Sequence, residues 1–272
     1  MSDDIPVDYV IFKLNEIFNV KSISNALETA KDIKEAKAVH SIRDFDRIPI
    51  KVNGVIGSFY DSDSNSEIQI KPELTISEST GIFQTFSCLS RKEFYFVLTG
   101  NEITHMVHYS DLNSPLVSIG IYTQIAYCEM AIRDFARLKN PNKLDYGEKF
   151  INGINNASGG VMDIARAIRQ FKRKKALQTE TDLFDELYFD DELVLFREII
   201  TPNLDASKKA EFKKFIDLGE SRIKTLKDLR NEVMHSKPEI IKKPQDIAVW
   251  LNFLQDCQKI ISVVDGKTVF NQ

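Results

Sequence analysis

The sequence predicts a multidomain α+β protein in two parts: a mixed α/β region over residues 1–114 and an all-helical region over 115–272. Three observations lead there. Short β-branched and aromatic runs occur only in the first part: RIPIKV, VIGSFY, FYFVL and ITHMVHY. Their turn dipeptides, Asn53-Gly54 and Gly100-Asn101, suit tight hairpins. From Pro115 onward, apolar residues recur with a period near 3.6, which marks amphipathic helices.

In chain order, helical stretches are expected near 24–39 and 78–91, each before one strand pair. The second part then reads as helices at about 115–139, 145–155, 158–176, 181–201, 206–236 and 244–264. Pro115, Pro141, Pro202, Pro238 and Pro244 fall near their edges, where proline is tolerated or ends a helix. The boundary is placed at about residue 114, in the polar SDLNSPL.

Composition narrows the classes. With 43% hydrophobic and 28% charged residues, the 272-residue chain is of soluble globular type. No run of 18 apolar residues predicts a membrane span, and the acidic start MSDDIPVDYV has no signal-peptide character. Three scattered cysteines (Cys88, Cys128, Cys257) argue against a disulfide framework and for a reducing, cytoplasmic setting. No Cys or His spacing suggests a metal site. Residues 1–114 hold 11 Lys+Arg against 17 Asp+Glu, and residues 115–272 hold 25 against 23. Only the second part is a plausible partner for a phosphate backbone.

The first part repeats itself. RIPIKVNGVIGSFYDSD (47–63) and FYFVLTGNEITHMVHYSD (94–111) each run strand, turn, strand, and close on Ser-Asp, with Asp63 and Asp111 48 residues apart. Units of about 1–66 and 67–114 follow. This pattern resembles a tandem pair of CBS domains, β-α-β-β-α modules. The resemblance implies a regulatory adenosine ligand (AMP, ATP or S-adenosylmethionine) in a cleft between the units. It implies that Asp63 and Asp111 take the ribose hydroxyls, with Tyr60 and His108 in the positions beside the phosphate. A carboxylate accepts hydroxyl protons well. An aspartate that caps a turn or helix fits the same positions.

In the helical part, the wheel of 206–236 places Ile223, Leu226, Leu229, Val233 and Met234 on one arc, with Gly219 near its middle. There Gly219 would let another backbone approach closely. Arg230 falls inside that arc. A buried unpaired guanidinium is expensive, so a partner is expected. Glu129 lies on the apolar face of 115–139, beside Ile125 and Ile132, and is the expected partner. Asn231 and His235 share an adjoining face, and Glu232 points to solvent.

LRNEVMH (229–235) resembles the R-(N/D/H)-x3-H signature of HEPN domains. That resemblance covers about 115–272. It implies a homodimeric, metal-independent endoribonuclease, often of toxin–antitoxin or antiviral systems, that acts on RNA with Arg230, Asn231 and His235. No cofactor is expected for catalysis. Lys237 stands where a related subgroup carries tyrosine. The alternative is a non-catalytic dimeric adaptor or nucleotide sensor, in which Arg230 and Glu129 are structural.

Other stretches are weighed more briefly. RAIRQFKRKK (166–175) carries six cations and is expected to pair with the acidic ETDLFDELYFDDE (180–192), although it could also follow RNA. His40 is read as a loop residue. His105 and His108 are read as sharing one strand face.

Overall fold

The computed structural model describes residues 18–235 and 239–266, apart from the side chains of Lys143 and Asn203. Two compact units result: residues 18–120 with 239–251, and residues 121–235 with 252–266.

The first unit holds two small sheets. One is antiparallel, β2 (Arg47–Val52), β3 (Val55–Asp61) and β4 (Ser66–Gln69), in that order. The other runs β1 (Asn25–Ala26), β7 (Glu102–His108), β6 (Phe94–Thr99), β5 (Thr75–Ser77), with β5 parallel to β6. The hairpin turns form as their residues require: Asn53 and Gly54 both take positive φ, of 50° and 85°. Each hairpin is preceded by a helix and, before that, by chain that pairs in parallel with the hairpin's first strand. In the second repeat this is β5, α3 (Ile82–Leu89), β6, β7. In the first it is a single parallel bridge from Ala30 to Ile50, then α2 (Ile33–Arg43), β2, β3. A short helix, α1 (Val20–Ile23), precedes both.

The repeat therefore exists, but its spacing is 47 residues. Arg47 and Phe94 open the hairpins, Val55 and Glu102 open the return strands, and the bulges fall at Ile50/Lys51 and Val97/Leu98. Asp63 thus corresponds to Ser110, and Asp111 to Ser64. The 48-residue match of Ser-Asp ends compared loop residues beyond the last ladder pairs, where one residue is easily gained.

Helix α2 starts nine residues later than the expected 24–39 stretch, at a cap supplied by Asp32. The Asp32 side chain accepts the Glu35 N–H at 2.8 Å, and Glu35 reaches back to the Lys31 N–H at 2.8 Å. It ends at Asp44, which takes the left-handed conformation at φ 57°. His40 lies inside this helix, its Nδ1 2.9 Å from the Phe45 carbonyl, and is not a loop residue. His105 and His108 do not share a face. They are three residues apart on a regular stretch of β7, and strand side chains alternate.

The second unit is helical. It contains most of α4 (Pro115–Lys139), then α5 (Glu148–Ala157), α6 (Ile164–Ala176), α7 (Phe189–Ile200), α8 (Ala206–Phe215) and α9 (Glu220–Met234), and the later turns of α10 (Pro244–Val264). Helix α7 is its centre, buried from Phe189 through Ile200 at nine positions including Asp191 and Glu192. The expected 206–236 helix is two helices. Ile216 takes an extended conformation, Asp217 accepts the Gly219 N–H at 3.0 Å, and Gly219 is the N-cap of α9. The aspartate's local bond competes with the helix ladder. Gly219 is therefore a terminus and not a close-packing site. Its Cβ would meet only Asp217 Oδ1, at 3.2 Å. The helix expected from 158 starts at Asp163, whose side chain caps it.

The division also departs from residue 114. Residues 239–251 belong with the first unit, for a reason visible at Asn113. Its Oδ1 accepts the N–H groups of Ile240 and Ile241 at 2.9 and 2.8 Å, and its amide donates to the Ile241 carbonyl at 2.8 Å. Trp250, 1% exposed, donates its indole N–H to the Ile240 carbonyl at 3.0 Å. No helix of the described residues is long and apolar enough to cross a membrane.

Candidate functional site

The end of α9 carries the motif. Ile223, Leu226, Leu229 and Val233 are buried, as the wheel requires, and hold the helix in the second unit. Met234 is exposed, so the arc ends one residue earlier than expected. Arg230 is three-quarters buried, and its Nε donates to Glu129 Oε1 at 3.0 Å. The pair inferred from two helical wheels is therefore present. The Arg230 Nη1 lies 3.4 Å from Asn231 Oδ1, so Asn231 orients the guanidinium.

Behind Glu129 the network continues inward. Arg133, one turn along α4, reaches Glu129 at 3.5 Å and Glu192 Oε1 at 2.5 Å. Glu192 is fully buried on α7, and its second oxygen has no hydrogen-bond partner. Burial, and after it repulsion from Glu129, outweigh the attraction of Arg133 and push its carboxyl up to about 8. Burial thus favours the neutral form of Glu192 within the cluster. Sequence reading found Glu129 and Arg230 but not Arg133 or Glu192. Glu192 lies within the acidic run 180–192, expected as a whole to pair with the cations of 166–175, so nothing in the sequence sets it apart.

His235 is the C-cap of α9. It is exposed, and its backbone N–H donates to the Asn231 carbonyl at 3.0 Å. Thus Arg230 and Asn231 are joined, and His235 follows one turn later at the open end of the helix. Glu232 is half-buried and partnered, not a free solvent residue. Lys237 and Pro238, which close the motif, lie outside the described residues.

In the first unit a cavity of about 730 Å³ is lined by residues of both sheets, among them Arg47, Pro49, Phe94, Met106 and His108. Of the four expected ligand residues, only His108 lines it. Burial, the largest influence, lowers its imidazole below the ordinary value against the pull of Asp111 and Glu93. Asp111 is occupied as a cap, accepting the His108 N–H at 2.7 Å and the Asn25 amide at 2.9 Å. Burial raises its carboxyl. Asp63 is exposed and pairs with Arg47 at 2.7 Å. Tyr60 is 4% exposed, packs with Ala30, Ala36, Ile48 and Ile50, and donates its hydroxyl to Asn65 at 3.1 Å.

The cation-rich α6 is partly absorbed by the acidic run, as expected. Arg166 meets Asp191 at 3.4 Å and Lys174 meets Glu186 at 2.7 Å. Other helices take most of the remaining acids: Arg137 holds Asp182 and Asp185, and Lys227 holds Asp190. Arg169, Lys172 and Arg173 are exposed and make no ion pair among the described residues. No group of three or more His, Cys, Asp or Glu among the described residues is placed to hold a metal ion. No known family model, no curated protein and no solved structure matches this chain.

Proposed function

We propose that the protein is a metal-independent endoribonuclease of HEPN type, active as a homodimer, cytoplasmic, and suited to a toxin or antiviral role. The observation that carries this reading is the end of α9, where a positioned arginine, an asparagine bonded to it and an exposed histidine follow within one and a half turns. Cleavage would use the 2′-hydroxyl of RNA. As its oxygen bonds to phosphorus, its proton passes to one imidazole, and the P–O5′ bond breaks as a second imidazole protonates the leaving oxygen. The products are a cyclic phosphate and a 5′-hydroxyl. Arg230 offsets the charge that gathers on the phosphoryl oxygens. One histidine cannot fill both roles at once, so His235 of the partner subunit supplies the second. A small adenosine-type ligand in the cavity of the first unit would bias the dimer between two arrangements and so gate cleavage.

The test is RNA cleavage in EDTA by wild type and His235→Ala. A loss of about a hundredfold or more is expected for a lost acid–base group. Equal trace cleavage by both rejects the reading. A second reading is favoured by one observation: the Arg230 Nε is already taken by Glu129, inside a network that reaches the centre of α7. In that reading the helical unit is a non-catalytic dimer or adaptor module. It predicts that Arg230→Ala lowers stability while His235→Ala changes nothing measurable.

A further inference from the structure

The cavity of the first unit has an unusual charge balance for a site read as binding nucleotides. Four carboxylates line it, from Glu28, Asp44, Asp46 and Glu93, against a single cation, Arg47. That cation is already committed. Its Nε lies 2.8 Å from Asp61 and its Nη2 lies 2.7 Å from Asp63, neither of which lines the cavity. A phosphate entering here would meet a surplus of negative charge and no free guanidinium. The walls are apolar: Leu27, Pro49, Met106, Phe45 and Phe94. The Phe94 ring already carries a cation over it, the Arg47 guanidinium at 5.6 Å from its centroid. An aromatic wall among carboxylates is the chemistry that holds organic cations.

The repeat adds a second, independent point. At the 47-residue spacing, Asp46 corresponds to Glu93, each standing one position before the first strand of its hairpin. Both line the cavity. The two halves of the module thus bring equivalent carboxylates to one space.

From this we infer that the cavity takes a small ligand with an organic cation on a flat or apolar body, and excludes nucleotide phosphates. This rests on the ligand part of the proposed function and is independent of the ribonuclease part. It replaces AMP and ATP with a sulfonium or ammonium compound as the regulatory class.

Titration calorimetry of the full chain at low ionic strength tests it, with S-adenosylmethionine, S-adenosylhomocysteine, AMP and tyramine as probes. The first two share every ring and differ in a methyl group and the sulfonium charge. S-adenosylmethionine is expected to bind about tenfold or more tightly than S-adenosylhomocysteine, as two or more carboxylates within a few ångströms would give. Glu93→Gln and Asp46→Asn are each expected to narrow that ratio about fivefold, with unchanged melting temperatures because both side chains are exposed. AMP binding as tightly as S-adenosylmethionine overturns the inference, as does an unchanged ratio in both variants. Tyramine binding with all three adenosine compounds silent keeps the inference and removes the adenosine reading. Silence from all four removes both.

Discussion

Arg230 illustrates how a single side chain can be legible before any coordinate. A charged residue inside an apolar stripe demands a partner, and a second such residue, Glu129, stood on another predicted helix. Their bond at 3.0 Å follows from that logic. Because the pair is only partly exposed, Arg230→Ala is expected to destabilise the second unit by about 2 kcal/mol in urea unfolding, by removing the nearer of the two guanidiniums that face Glu129. His235→Ala, at an exposed cap, is expected to leave unfolding within about 0.5 kcal/mol of wild type. Glu192 gives a pH signature. Its carboxyl is raised from 4.5 to about 8 in the folded state. The unfolded chain therefore loses this proton first as pH rises, so the group's influence is most favourable below about 4.5 and declines up to about 8. Glu192→Gln should remove roughly 3 kcal/mol of that decline, read as the difference in urea stability between pH 5 and pH 8. An unchanged difference would mean that Glu192 is ionised in the fold. Glu192 was hidden in the sequence because its burial comes from packing on every side of α7, which no local pattern records.

Helices and hairpins were mostly readable, and the exceptions share a cause. Pro115–Lys139 and Pro244–Val264 match the expected spans, since each is long, strongly periodic and opened by proline. The break between α8 and α9 was missed because periodicity runs straight through Asp217-Leu218-Gly219, whose turn chemistry was the better guide. The pairing of Asp63 with Asp111 as equivalent positions has the same cause. Aligning the two hairpins on their Asn53-Gly54 and Gly100-Asn101 turns gives the 47-residue spacing, whereas aligning on the terminal Ser-Asp pairs gives 48. Turns fix register, and loop ends do not. On α6, Arg169, Lys172 and Arg173 are at helical spacing and make no ion pair among the described residues. Replacing all three with glutamine is expected to leave the melting temperature unchanged. RNA affinity should weaken across sequences, with the salt slope of binding shallower by about 1 per cation removed that met a phosphate. An unaltered slope would assign α6 to solubility alone.

The whole chain divides in a way that linear reading could not supply, because the first unit recruits residues 239–251 from beyond the helical region. The homodimer reading makes its own demand on the assembled molecule. Specific ribonuclease activity should fall on dilution below the dimer dissociation constant, and mixing in excess His235→Ala protein should suppress wild-type activity through mixed dimers. Activity per chain that is independent of both would reject the shared active site. The Asn113 clasp on Ile240 and Ile241 bridges 127 and 128 positions of sequence. On the ribosome, that clasp cannot close until the helical region between its ends has been made. Residues 230–235 are therefore made while the first unit is still unfinished. The first unit needs residues 239–251 and the second needs 252–266, so a chain halted just after His235 would carry the motif with neither unit finished.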